Sequence, residues 1–209
     1  MHYDIKRTSA FVLIISFFLL RKFFSKKWGK APGGHVGILS VFNREGMLIV
    51  WLTAILLQIL GFADFLRMRF DEFTLDLFSA LGLVYAIVGL IGMIAVRVER
   101  GSTWGRVGDH PATQHRLITT GPYKILRHPH YAFLGFYAVG IPLLIGNWAW
   151  TLIIPWVILS TINACKEERD LEVRYGDEWR RYASTVLFFW LPKSPFMAPL
   201  RPWDLGGRD

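Results

Sequence analysis

From Tyr131 to Ala164 the chain runs for 34 residues without one Asp, Glu, Lys or Arg. A helix that crosses a hydrocarbon core of about 30 Å needs roughly 17–25 mostly apolar residues, so this run is too long for one ordinary span. Ile145-Gly146-Asn147-Trp148 supplies turn chemistry near its middle. The run therefore reads as a tight helical hairpin, with Pro142 and Pro155 tolerated as kinks. Composition agrees: 53% of the 209 residues are hydrophobic and 19% are charged, against about 25% charged in soluble domains. Disorder, a disulfide-rich secreted scaffold and collagen-like repeats are excluded.

Three further apolar runs precede the hairpin. Ser9–Leu20 is short, but Arg21 and Lys22 can snorkel to the interface and Phe23 and Phe24 extend it. A signal peptide is disfavoured there, because Arg21-Lys22-Phe23-Phe24 stands where small residues should mark a cleavage site. Met47–Ala63 is interrupted only by Gln58, and Phe73–Val96 carries Asp76 near its start. The expectation is an all-α integral-membrane bundle of five transmembrane helices, the fourth and fifth a hairpin, in a single domain over 1–209.

The cations test that topology, because cytoplasmic loops are enriched in Lys and Arg. Of the 24, four (Lys6, Arg7, Arg67, Arg69) fall on one side and the other twenty on the opposite side. The amino terminus is expected outside and the carboxyl terminus in the cytosol. The net charge of +8 is thereby explained without nucleic acid, and no basic stripe interleaved with stacking aromatics is present. The single cysteine, Cys165, cannot form an intrachain disulfide and reads as a small residue at the membrane boundary.

Polar function should then concentrate in the cytosolic segments 97–130 and 165–192, with 193–209 a Pro- and Gly-containing tail. Four of the six histidines, His110, His115, His128 and His130, lie in the first. A metal site is disfavoured: Pro129 separates His128 from His130, and no i, i+4 histidine pair or CxxC completes a ligand set. The glycine-containing stretch Gly101–Gly108 lacks the GKS/T ending of a phosphate loop. Leu171, Tyr175, Trp179, Tyr182 and Val186 recur at helical spacing, which suits a carboxyl-terminal helix lying on the membrane surface. Glu167 and Glu168 sit where bilayer meets cytosol, and position alone serves solvation and function equally well.

Four elements in order complete the picture: His115-Arg116-Leu117-Ile118 running on to Gly121-Pro122-Tyr123; Arg127-His128-Pro129-His130-Tyr131; Glu167-Glu168; and Tyr175–Tyr182. This pattern resembles the isoprenylcysteine carboxyl methyltransferase family, within the wider group that includes phospholipid N-methyltransferases. The resemblance implies a membrane methyltransferase that binds S-adenosylmethionine (SAM) on its cytosolic side and acts on a lipophilic or membrane-accessible acceptor. It implies cofactor contacts at His115, Arg116, Leu117, Ile118, Tyr123, His128, Pro129, His130, Tyr131 and Glu167, with Arg127, His128 and Glu168 as catalytic candidates. Arg127 or His128 would hold the methionine carboxylate of SAM, and His128, His130 or Glu168 would serve as base where the acceptor carries a proton. One position departs from the pattern. The isoprenylcysteine enzymes carry an arginine four residues before that glutamate, where this chain has the substrate-binding candidate Asn163, and a neutral amide lacks bidentate recognition of a carboxylate. Carboxylate, amine phospholipid and thiol acceptors stand open. A sterol-reductase-like enzyme using NADPH and a non-catalytic scaffold of the same fold are the alternatives.

Overall fold

The computed structural model describes residues 2–28, 53, 55–56, 64–101 and 117–188. Within these are five α-helices: α1 (His2–Trp28), α2 (Glu72–Arg100), α3 (Pro129–Leu144), α4 (Ile153–Tyr175) and α5 (Asp177–Thr185). Single 3-10 turns at Asp64–Leu66, Gly121–Lys124 and Trp148–Leu152 join them, and the described residues contain only isolated β-bridges.

Helix α2 begins where Asp71 takes the N-cap. Its carboxylate accepts from the Thr74 backbone N–H at 2.9 Å and from the Thr74 hydroxyl at 2.6 Å, satisfying a donor that the first turn would otherwise leave open. These bonds hold the exposed Asp71 carboxyl below its ordinary pKa. The buried face of the helix runs Gly82, Ala86, Gly89, Met93, Val96, a spacing of four and three that keeps one stripe turned to a partner. That partner is α3. A Cβ at Gly82 would stand 2.4 Å from the Leu144 backbone nitrogen, one at Gly89 2.5 Å from that of Tyr137, and one at Gly140 2.4 Å from that of Ala86. The two backbones are in contact, which is how helices associate where no water drives them together.

The opposite face of α2 carries Leu77, Leu81, Val84, Val88 and Ile91, all exposed, at the same spacing. Apolar side chains on both faces of one helix fit a hydrocarbon surrounding, not water. Ile154, Ile158 and Ile162 make the same kind of exposed stripe on α4. Two of the described stretches, Glu72–Arg100 and Trp148–Tyr175, are long and apolar enough to cross a membrane.

Five transmembrane spans are therefore more than the described residues show. Met47–Ala63 lies outside them except for Thr53, Ile55 and Leu56, which are helical. Helix α3 is apolar but has only 16 residues, about 24 Å at 1.5 Å per residue, short of the hydrocarbon thickness. Helix α1 forms one continuous element over the first apolar run. It docks through Ala10 in the core and through the Tyr137 hydroxyl, which donates to the Leu13 carbonyl at 3.0 Å. Lys6 pairs with the exposed Asp76 at 2.6 Å.

The hairpin turn forms where the sequence places it. Gly146 adopts φ 63°, and the fully buried Asn147 side chain accepts from the Ala149 N–H at 2.6 Å. Pro142 sits in the last turn of α3, while Pro155 falls in the first turn of α4, where a missing N–H breaks no helical bond. The carboxyl-terminal stripe does not lie on one helix. Gly176 turns the chain at φ 51° between α4 and α5, and the stripe faces inward: Trp179 is 2% exposed and Val186 8%. Leu171, Tyr175 and Tyr182 of the same stripe are half-buried.

Replacing Gly89 with Ala should destabilise the protein by about 1–3 kcal/mol, because a methyl group there meets rigid backbone. Gly135 is the control, since its Cβ would meet the Trp156 side chain at 3.0 Å, and a side chain can yield. Thermal unfolding in detergent should show the larger loss for Gly89→Ala.

Candidate functional site

The site gathers where the amino end of α3, the carboxyl-terminal half of α4 and the return of the chain after α5 meet. Residues 125–128 and 186–188 pair as a short parallel bridge. The Leu187 N–H donates to the Ile125 carbonyl at 3.2 Å, Arg127 N–H to the Leu187 carbonyl at 2.8 Å, and His128 N–H to the Phe188 carbonyl at 3.3 Å. Pro129 is the first residue of α3, so the helix starts with no donor to satisfy there, and His128 stands just ahead of it. The bridge and the start of α3 thus place Arg127, His128 and Tyr131 opposite α4.

On α4 the adjacent glutamates differ sharply. The Glu168 side chain is 0% exposed and the Glu167 side chain 37%. Glu168 Oε1 stands 3.2 Å from Arg127 Nε and 3.2 Å from His128 Nε2. Glu167 Oε2 stands 3.6 Å from His128 Nδ1, and its Oε1 accepts from the Tyr131 hydroxyl at 2.8 Å. Arg127, itself buried, also donates to the Ala183 carbonyl at 3.2 Å and lies over the Phe188 ring at 5.5 Å. The edge of that ring meets His128 with centroids 5.2 Å apart.

Burial alone would lower the His128 pKa. Hydrogen bonds to Glu167 and Glu168, together with their charges, outweigh it and raise the imidazole above its ordinary value. Tyr123 is tied in from two directions: its carbonyl accepts from the Tyr182 hydroxyl at 2.7 Å, and its side chain bonds Arg100 at the end of α2. Burial raises its phenol pKa while Arg100 opposes the rise.

The structure thus brings together Arg127, His128, Pro129, His130, Tyr131, Glu167 and Glu168, with Tyr123 at the margin. His130 is half-buried beside the Tyr131 ring. Leu117 and Ile118 are half-buried in the extended stretch leading to the Gly121–Lys124 turn, and Asn163 is half-buried one helix turn before Glu167. His115 and Arg116 lie outside the described residues. Sequence reasoning missed Phe188, Arg100 and the Glu99–Thr120 bond that fastens the end of α2 to the Gly121 turn. Phe188 stands in an apolar stretch whose spacing gives no sign that it returns to 125–128.

The phospholipid methyltransferase family model matches residues 77–178, which include every member of the cluster except Phe188. Residues 77–178 are thus similar to the phospholipid methyltransferase family. A probable protein-S-isoprenylcysteine O-methyltransferase of Oryza sativa subsp. indica is 34% identical over 113 residues, covering 52% of this chain and 58% of the relative. Another, from Oryza sativa subsp. japonica, matches equally. A protein-S-isoprenylcysteine O-methyltransferase of Schizosaccharomyces pombe is 27% identical over 150 residues, covering 67% of this chain and 63% of the relative. The chain thus spans about three fifths of the length of the curated relatives it matches.

Removing a buried charge strands its partners. Glu168→Ala should destabilise the fold by about 3–5 kcal/mol, whereas Arg180→Ala, which breaks exposed, solvent-screened pairs with Glu172 and Asp177, should lose far less. Chemical unfolding of the two variants side by side measures the difference.

Proposed function

We propose that this chain is an S-adenosylmethionine-dependent methyltransferase acting at the cytosolic edge of a membrane on a lipophilic or membrane-accessible acceptor. The observation that carries the reading is the Tyr131–Glu167 hydrogen bond at 2.8 Å, which closes two family elements into one cluster at the ends of apolar helices. The family match and the names of the curated relatives support the same chemistry.

The residues fit such a cofactor. Glu167, whose side chain is 37% exposed, is the carboxylate that a ligand can reach, while Glu168 is sealed behind it. A ligand bringing an ammonium group and ribose hydroxyls supplies donors that suit the open carboxylate. When bound, SAM supplies an electrophilic methyl group on a sulfonium, and transfer needs neither metal nor covalent intermediate. Glu167 is positioned to accept from the amino group or hydroxyls, and the faces of Tyr123 and Tyr131 favour a cation. The protein's task is then to hold nucleophile, methyl and sulfur in line and keep water out.

Arg127, expected to reach the methionine carboxylate, is committed instead to Glu168, Ala183 and Phe188. Its role is to keep Glu168, and through it the neighbouring Glu167, in place. The exposed stripes of α2 and α4 let an acceptor approach from within the bilayer, with the amino terminus outside and the site facing the cytosol. Asn163 favours an acceptor other than a prenylcysteine carboxylate, because its amide forms neither an ion pair nor a bidentate contact.

Ligand-induced stabilisation in detergent tests the reading. SAM and its demethylated product at about 100 times Kd should each stabilise the protein by about 2.7 kcal/mol, NADPH should not, and Glu167→Ala should abolish the response. Stabilisation by NADPH alone would overturn it. Radiolabelled methyl transfer across prenylcysteines, amine phospholipids and small thiols identifies the acceptor.

A further inference from the structure

Resting on the methyltransferase reading, we infer that His128 is a positioning residue, held as an imidazolium between Glu167 and Glu168, and does not act as the base toward the acceptor. Both ring nitrogens face a carboxylate: Nε2 is 3.2 Å from Glu168 Oε1, and Nδ1 is 3.6 Å from Glu167 Oε2. A neutral imidazole has one N–H and one lone pair, so either tautomer would point a lone pair at a carboxylate oxygen. Only the imidazolium turns an N–H toward both carboxylates.

The charge count gives the same answer. From α4 come two carboxylates, Glu167 and Glu168; from the segment ahead of α3 comes one guanidinium, Arg127, at 3.2 Å from Glu168. With His128 neutral, two anions would share one close cation around a fully buried oxygen, and a buried uncompensated charge is strongly destabilising. With His128 charged, two cations meet two anions. The other groups around the ring do not reverse this balance. Tyr131 on α3 donates to Glu167, Arg100 on α2 acts on Glu167 from further away, Tyr182 on α5 interacts with Arg127 and Glu168, and Phe188 offers a ring edge.

A ring protonated on both nitrogens has no lone pair for an acceptor's proton. What it does is fix the orientation of Glu167, whose remaining oxygen takes the Tyr131 hydroxyl. Because the folded-state pKa is raised, the clamp is complete below the ordinary histidine value of about 6.5 and is lost only as pH climbs through the higher folded-state value.

The test uses the full chain in detergent micelles with nitrogen-labelled histidine, the His128 signal being assigned by its loss in His128→Gln. The ring-nitrogen shifts should report a midpoint above the ordinary histidine value of about 6.5; a midpoint at or below it would overturn the inference. Calorimetric SAM affinity supplies the second readout. For the unaltered protein it should hold constant from pH 6 up to the ring midpoint measured by the titration. For Glu168→Gln, whose amide donates to Nε2 and so favours the neutral ring, it should be about tenfold weaker at pH 8 than at pH 6, the effect of one pKa unit. An equal loss at both pH values, or no loss at either, would also overturn the inference. Absence of SAM binding by the unaltered protein would count against the methyltransferase reading alone, because the ring titration is read without ligand.

Discussion

A fully enclosed carboxylate, Glu168, stands a few residues beyond an apolar helix stretch, and much of the surrounding structure follows from satisfying it. A bare carboxylate in such surroundings would either take up a proton or unfold the region. Arg127 and His128 prevent this from one oxygen's side, at 3.2 Å each. Arg127 in turn needs a place for its remaining donors and its flat face, which Ala183 and Phe188 provide. The bridge between 125–128 and 186–188 lies beside this charge cluster, and it draws the segment after α5 back against the segment ahead of α3.

The same region shows how so short a helix as α3 is accommodated. Small residues let α2 and α3 touch along their backbones, Gly82 against Leu144, Gly89 against Tyr137 and Gly140 against Ala86. That contact sets the amino end of α3 near the end of α2, where Glu99 meets Thr120 and Arg100 meets Tyr123. The cluster therefore sits at the margin of the apolar layer, with one carboxylate sealed and its neighbour partly open. A sealed carboxylate serves architecture and an open one serves a ligand, which is the division proposed for Glu168 and Glu167.

Much of this was legible in the residues before any coordinates. The run Phe73–Val96 lies inside the observed Glu72–Arg100 helix, and the turn at 145–148 is written in Gly146 and Asn147. Glu167-Glu168 and Arg127–Tyr131 were visible as motifs, but which glutamate is buried was not, because both follow the apolar run with identical chemistry. The stripe from Leu171 to Val186 has the right period for one surface helix; Gly176 at positive φ divides it, and tertiary packing turns Trp179 inward. Phe188 was illegible because parallel pairing between segments some sixty residues apart leaves no periodic trace. A 16-residue α3 was missed because an uncharged run reports where charges are absent, not where a helix ends.

The central claim is that the cluster around Glu167 is where a SAM-type ligand binds. Hydrogen exchange of the detergent-solubilised protein, with and without SAM, tests it most directly. The account predicts that SAM slows exchange in 123–131 and 163–168 while leaving α1 unchanged. Saturating SAM with no protection in either segment, or protection confined to α1, would contradict it.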